Sequence, residues 1–108
     1  MIMKYNLFDI GGEIIRNDDV CIIRENNELN NVWLNSILLY NEKATKLMSF
    51  LDQDCVYVFI DGKGVLEIEK DIIYVNRNDI VLVPQNSLHR VINTGDIHLR
   101  FLVIKERL

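Results

Sequence analysis

The sequence is short of the residues that staple a chain, interrupt it or charge it in one sense. Its 108 residues include one proline, five glycines, two cysteines, two histidines and one tryptophan. Two cysteines without a short metal-type spacing, Cys21 and Cys55, exclude both a disulfide framework and a zinc ribbon. Reduced thiols in the cytoplasm are the expectation that goes with them. No apolar run approaches the ~18 residues of a membrane-crossing helix. The first ten residues, with one lysine and no long apolar stretch, lack the character of a signal peptide. Twelve Lys and Arg against sixteen Asp and Glu leave a net charge of −4. With no basic stripe, the electrostatic footprint of a nucleic-acid binder is missing. Charges of both signs are interspersed, as on a solvated surface. Pro84 stands alone, and neither a Ser/Gly-rich linker nor a repeat divides the chain. A single domain over 1–108 follows, long enough to bury a core without staples.

What the chain does contain is short runs of β-branched and aromatic residues between turn formers. Gly11-Gly12, Asn17-Asp18-Asp19, Asn26-Asn27, Asp61-Gly62-Lys63-Gly64, Asn76 to Asp79, Gln85-Asn86-Ser87 and Asn93 to Asp96 all tolerate turns. Between them lie eight expected strands: Val20–Arg24, Val32–Tyr40, Val56–Ile60, Val65–Ile68, Ile72–Val75, Ile80–Val83, His89–Ile92 and Leu99–Ile104. Many short strands at regular spacing describe an all-β sandwich or barrel. The Asp61–Gly64 turn has too few glycines and no following helix for a phosphate loop, and reads as a hairpin. No Ser-His-Asp arrangement can be argued from sequence. Several strands are apolar on both faces, Val56–Ile60 and Ile80–Val83 above all, whereas an antiparallel sheet usually wets one. Their second face calls for a cover, and a homodimer is the expectation. Glu42 to Asp52 is ambiguous. Ala44, Leu47, Met48 and Leu51 fall at helical spacing, yet the segment can also run extended.

From Asn78 to Asn93 the chain reads N-D-I-V-L-V-P-Q-N-S-L-H-R-V-I-N. Asn78, Pro84, Asn86, His89 and Asn93 stand at the spacings of the second signature of the cupin superfamily, Gly-x5-Pro-x-Gly-x2-His-x3-Asn. Asn replaces both glycines, and it is the non-glycine residue most tolerant of positive φ. V-Y-V-F-I-D-G-K-G resembles the end of the first signature, and N-T-G-D-I-H-L-R-F-L-V-I resembles the family's closing hairpin. The resemblance spans about residues 32–104. It implies a cupin-like jelly roll or small barrel of antiparallel strands, and it implies that 42–52 is extended.

The first signature of that family, His-x-His-x(3,4)-Glu-x6-Gly, is degenerate here. Anchored on Gly62, Cys55 takes the Glu position. The two His positions fall on Ser49 and Leu51, or on Met48 and Phe50 at the longer spacing. A divalent site in such a barrel takes three or four ligands, and one imidazole and one thiol do not make it. The implication is a barrel without metal or cofactor. Metal-free cupins of the sugar epimerase kind pair a His base with a Tyr acid, so the resemblance makes His89 and Tyr57 the candidate catalytic pair. Tyr57 shares a strand face with Cys55 and Phe59, and His89 shares one with Val91 and Asn93. Tyr57, Cys55, Phe59, His89 and Asn93, with Trp33 on the long strand, are the candidate ligand contacts. Each has a plainer reading: a packed tyrosine, a histidine satisfied by a neighbour, a core thiol with no cation to activate it. Three functions follow. One is a barrel binding a small polar metabolite in its mouth. Another is a small isomerase, epimerase or cyclase using His89 and Tyr57. The last is a dimeric structural or regulatory module, for which His89 bonded to backbone in an apolar barrel would be the mark.

Overall fold

A computed structural model describes residues 2–107. Nine strands run through it: β1 (Glu13–Asn17), β2 (Cys21–Asn26), β3 (Val32–Leu39), β4 (Cys55–Asp61), β5 (Lys63–Ile68), β6 (Asp71–Asn76), β7 (Ile80–Val83), β8 (His89–Asn93) and β9 (Leu99–Glu106). All eight expected strands are present and every pairing is antiparallel. The addition is β1, a largely exposed edge strand whose pairing with β2 carries an irregularity between Ile14 and Arg16. None of the described residues is helical, so none could form a membrane-crossing helix.

The strands form two sheets, one of six in the order β1-β2-β3-β9-β4-β7 and one of three in the order β6-β5-β8. The core fills the space between them, from Leu39, Leu99 and Phe101 on one side to Leu66, Val75 and Val91 on the other. Phe59 and Phe101, with ring centres 5.3 Å apart, are its largest fully buried side chains.

The ambiguous segment is extended and adds itself to the free edge of β8. Ala44 lies opposite Ile92 and Met48 opposite His89. Met48 and His89 exchange both backbone N–H···O bonds, at 2.9 and 2.8 Å. An unpaired strand edge beside the core would leave such groups without partners, and this demand outweighs the local helical spacing. Leu47 and Leu51, which a helix would have turned inward, are exposed instead.

The two turns read as hairpins are corners at which the chain changes sheets. Strand β4 belongs to the large sheet and β5 to the small one. The single residue between them, Gly62, has φ +87°, and a Cβ there would stand 2.3 Å from the carbonyl oxygen of His98. His98 lies in the second corner, between β8 and β9, so the two crossings pack backbone against backbone. The Asn93 side chain braces this second corner. It donates to the carbonyls of Leu39 and Ile97 and accepts from the Gly95 N–H, each at 2.9 Å. Asn78 and Asn86 have φ of +76° and +62°, the left-handed geometry expected where they replace glycine.

Candidate functional site

Register places the site. Side chains directly opposite in paired strands share a face, and Asn35 of β3 stands opposite Val103 of β9, itself opposite Tyr57 of β4. One row across the inner face of the large sheet is therefore Asn35, Val103, Tyr57. The row toward the mouth is Trp33, Lys105, Cys55, and the row below is Ile37, Phe101, Phe59. Over the β3 side of this floor lies the extended segment 44–50. Between the two is a cavity of about 290 Å³, walled by Ile23, Ile37, Met48, Phe50, Phe101 and Val103, with Trp33 and Ile15 at its rim. Its polar lining comes from three side chains, Asn35, Thr45 and Tyr57. Other hollows, of up to about 400 Å³, lie open on the surface, the largest beside Lys4, Tyr5 and Asp9.

Behind the cavity wall, the Tyr57 hydroxyl and His89 Nε2 are 2.8 Å apart. His89 Nδ1 lies 2.8 Å from the Ser87 carbonyl oxygen. A carbonyl only accepts, so Nδ1 carries the proton, Nε2 is the acceptor, and Tyr57 donates to it. The two rings meet edge to face at 5.5 Å, and Phe50 packs 5.6 Å from the imidazole. Burial pushes the Tyr57 hydroxyl above its ordinary range, with Cys55 a smaller contributor, so it stays protonated.

The sequence candidates divide accordingly. Tyr57 and Trp33 line the cavity. His89, expected to face an open mouth, is 1% exposed and reaches the cavity only through Tyr57. Phe59 stacks in the core with Tyr57 and Phe101. Asn93 is fully engaged in the β8–β9 corner. Cys55 is buried, and desolvation pushes its thiol up to about 11 despite Lys105 nearby.

The residues at the positions of the family's metal ligands do not fit a metal. Of the two registers, the longer spacing is the one that faces inward. Met48 and Phe50 line the cavity, while Ser49 and Leu51 are exposed. A thioether and a phenyl ring stand where imidazoles would be, Cys55 holds its proton, and both His89 nitrogens are engaged. Among the described residues, no three His, Cys, Asp or Glu side chains cluster as ligands.

Reading the sequence did not single out Asn35, Thr45 or Lys105. Asn35 is 3% exposed and its Oδ1 has no hydrogen-bond partner among the described residues. Its signal is parity: in V-W-L-N-S-I-L-L it shares a face with Trp33, Ile37 and Leu39, a polar residue on an otherwise apolar row. Lys105 Nζ donates to Gln53 Oε1 at 2.9 Å, and lies 4.4 Å from the centre of the Phe50 ring and 4.8 Å from that of Trp33. Desolvation lowers its pKa. Nothing in the sequence marks this contact.

Two packed antiparallel sheets closed by sheet-crossing corners define a double-stranded β-helix, and the comparisons agree. The chain belongs to the cupin family: the model of the cupin domain matches residues 52–105. A conserved protein with a double-stranded β-helix domain from Klebsiella pneumoniae superposes with a TM-score of 0.83 at 10% identity, over 98% of this chain and 90% of that one. A predicted oxalate decarboxylase from Thermotoga maritima gives 0.77 at 18% identity, over 98% and 100%. An RmlC-like cupin from Shewanella frigidimarina gives 0.77 at 11%, over 94% and 88%. At such identities the likeness is one of fold. No curated protein matches the chain.

Proposed function

We propose that this cupin barrel binds a small molecule in the cavity between β3, β9, β4 and the segment 44–50, without a metal. The observation that carries the reading is the convergence of three polar side chains, Asn35, Thr45 and Tyr57, in an apolar hollow of about 290 Å³. Apolar walls with a few placed polar groups are the usual make-up of a metabolite site. The His89–Ser87 backbone bond fits a structural role for His89, yet its second nitrogen holds the hydroxyl of Tyr57, a residue that lines the cavity. His89 is therefore read as a positioning residue for Tyr57.

Trp33 is the only tryptophan and lies at the rim, so its emission reports occupancy. Titration with small alcohols, amides and carboxylic acids is expected to shift Trp33 emission saturably and to raise Tm, since a ligand of the native state stabilises it. A panel that moves neither at millimolar concentration would sink the reading.

The isomerase or epimerase reading is favoured by one observation, the Tyr57–His89 pair itself. In it, a ligand proton would pass to the Tyr57 oxygen as the Tyr57 hydrogen moves to His89 Nε2, and the reverse relay would return it. It requires that Tyr57→Phe abolish turnover while leaving ligand binding within a few fold.

A further inference from the structure

We propose that the cavity takes a small aromatic or branched carboxylic acid, its apolar body in the hollow and its carboxylate on Lys105 at the mouth. This rests on the binding reading above and adds the ligand's chemical class. The placement of one cation is the argument. Lys105 stands two residues after Val103 on β9, so its side chain leaves the inner face of the large sheet, in the row between Trp33 and Cys55. Its ammonium lies 4.8 Å from the centre of the Trp33 ring and 4.4 Å from that of Phe50. Both rings belong to the cavity wall and Lys105 does not, so the charge stands beside the rim. Lys105 is partly exposed, and a ligand can reach it from solvent.

The ammonium is short of partners. One hydrogen goes to Gln53 Oε1 at 2.9 Å, and the two rings attract the cation without taking a hydrogen bond. The ion pairs among the described residues, Arg16–Asp18 and Arg90–Glu67, do not include it. Desolvation penalises its charged form and Arg107 opposes it further, while Glu25 favours it through charge alone. Cys55 beside it keeps its proton and adds no charge. An anion at the rim offsets that penalty. Arg107 gives Nη2 to Asn27 at 2.8 Å, which leaves one ammonium, a match for one carboxylate rather than for a phosphate dianion. A carboxylate held at the rim also stays out of the mostly apolar hollow, where an unpaired charge is costly. Size sets the body: a cavity of about 150 Å³ accommodates benzene, and this one holds about 290 Å³. One ring with a short acidic arm fits.

Two probes of one shape isolate the charge, phenylacetate and phenylacetamide, each titrated against Trp33 emission and Tm. The acid is expected to bind roughly tenfold tighter at low salt, the ratio from one charge-assisted hydrogen bond. Half-molar salt is expected to narrow that ratio, because an exposed charge pair is screened. In Lys105→Met, which keeps the stem and removes the charge, the ratio is expected to fall to about one, and Lys105→Arg is expected to keep it. Should Lys105→Met fail to fold, the salt dependence of the wild-type ratio still decides. Equal binding of the two probes, a ratio indifferent to salt, or one unchanged in Lys105→Met overturns the carboxylate assignment and leaves the binding reading standing. Silence of both probes overturns the assignment, and silence of the wider panel as well removes the binding reading.

Discussion

Tyr57 and His89 come from strands of different sheets, and one hydrogen bond of 2.8 Å, from the phenol to Nε2, joins them across the barrel. The Ser87 carbonyl decides its direction by holding the imidazole in the Nδ1–H form. This bond ties the large sheet to the small one.

Removing His89 should therefore be felt first in stability. His89→Ala leaves the Tyr57 hydroxyl buried without an acceptor and is expected to cost about 1–3 kcal/mol. Tyr57→Phe should cost less, and a double-mutant cycle should return a coupling between the two. Urea unfolding of the four proteins measures it. Additive losses would mean that the bond contributes nothing to the fold.

The thiols should be inert in the native protein. Cys55 is 2% exposed with its pKa pushed up to about 11, and Cys21 is 1% exposed with its pKa also raised by burial. Neither offers accessible thiolate near pH 8. Ellman's reagent is expected to find no fast-reacting thiol until denaturant is added, and then two per chain. A fast thiol in the folded protein would contradict the packing around it.

Protein purified without chelator is expected to carry no stoichiometric transition metal, because Met48, Phe50 and Cys55 occupy the ligand positions and both His89 nitrogens are engaged. Elemental analysis decides. About one iron, manganese or zinc per chain, lost in His89→Ala, would reverse the conclusion.

Acid should weaken the β1–β2 turn through Asp18. Its carboxylate accepts from Arg16 Nε and from the backbone N–H groups of Val20 and Cys21, which together lower its pKa from 3.8 to about 2. A lowered folded pKa means that the contribution is complete above about pH 4 and is lost as pH falls through about 2. The stability gap between wild type and Asp18→Ala is thus expected to be wider at pH 5 than at pH 2. A gap independent of pH would show that the charge is irrelevant there.

A homodimer is expected through the outer face of the large sheet. Leu82, Val56, Ile104 and Leu34 form one row across it, and Leu82 and Ile80 on the edge strand β7 are 71% and 64% exposed. Light scattering should return twice the chain mass at micromolar concentration, and Leu82→Lys should halve it. A wild-type monomer would refute this.

The sequence by itself determined the strands and their turns. Runs such as V-Y-V-F-I and I-V-L-V have one regular way to bury side chains from both faces of a short segment. Asn78 and Asn86 take the φ their positions demand from local sterics alone. The near-complete cupin spacing from Asn78 to Asn93 likewise identified the fold. Tertiary structure decided the rest. Segment 44–50 carries a helical pattern, and only the waiting edge of β8 makes it extended and thereby turns Met48 and Phe50 into cavity wall. The chain around Gly62 reads as a hairpin until the neighbouring corner is in place against it. His89 and Tyr57 were legible as candidates, but not that the imidazole would sit behind the phenol, because which ring is nearer the cavity depends on how two sheets stack. Asn35 meets Tyr57 only across β9, some seventy residues away in the chain. Such a row is set by strand register across two pairings, a long-range quantity that no local pattern encodes.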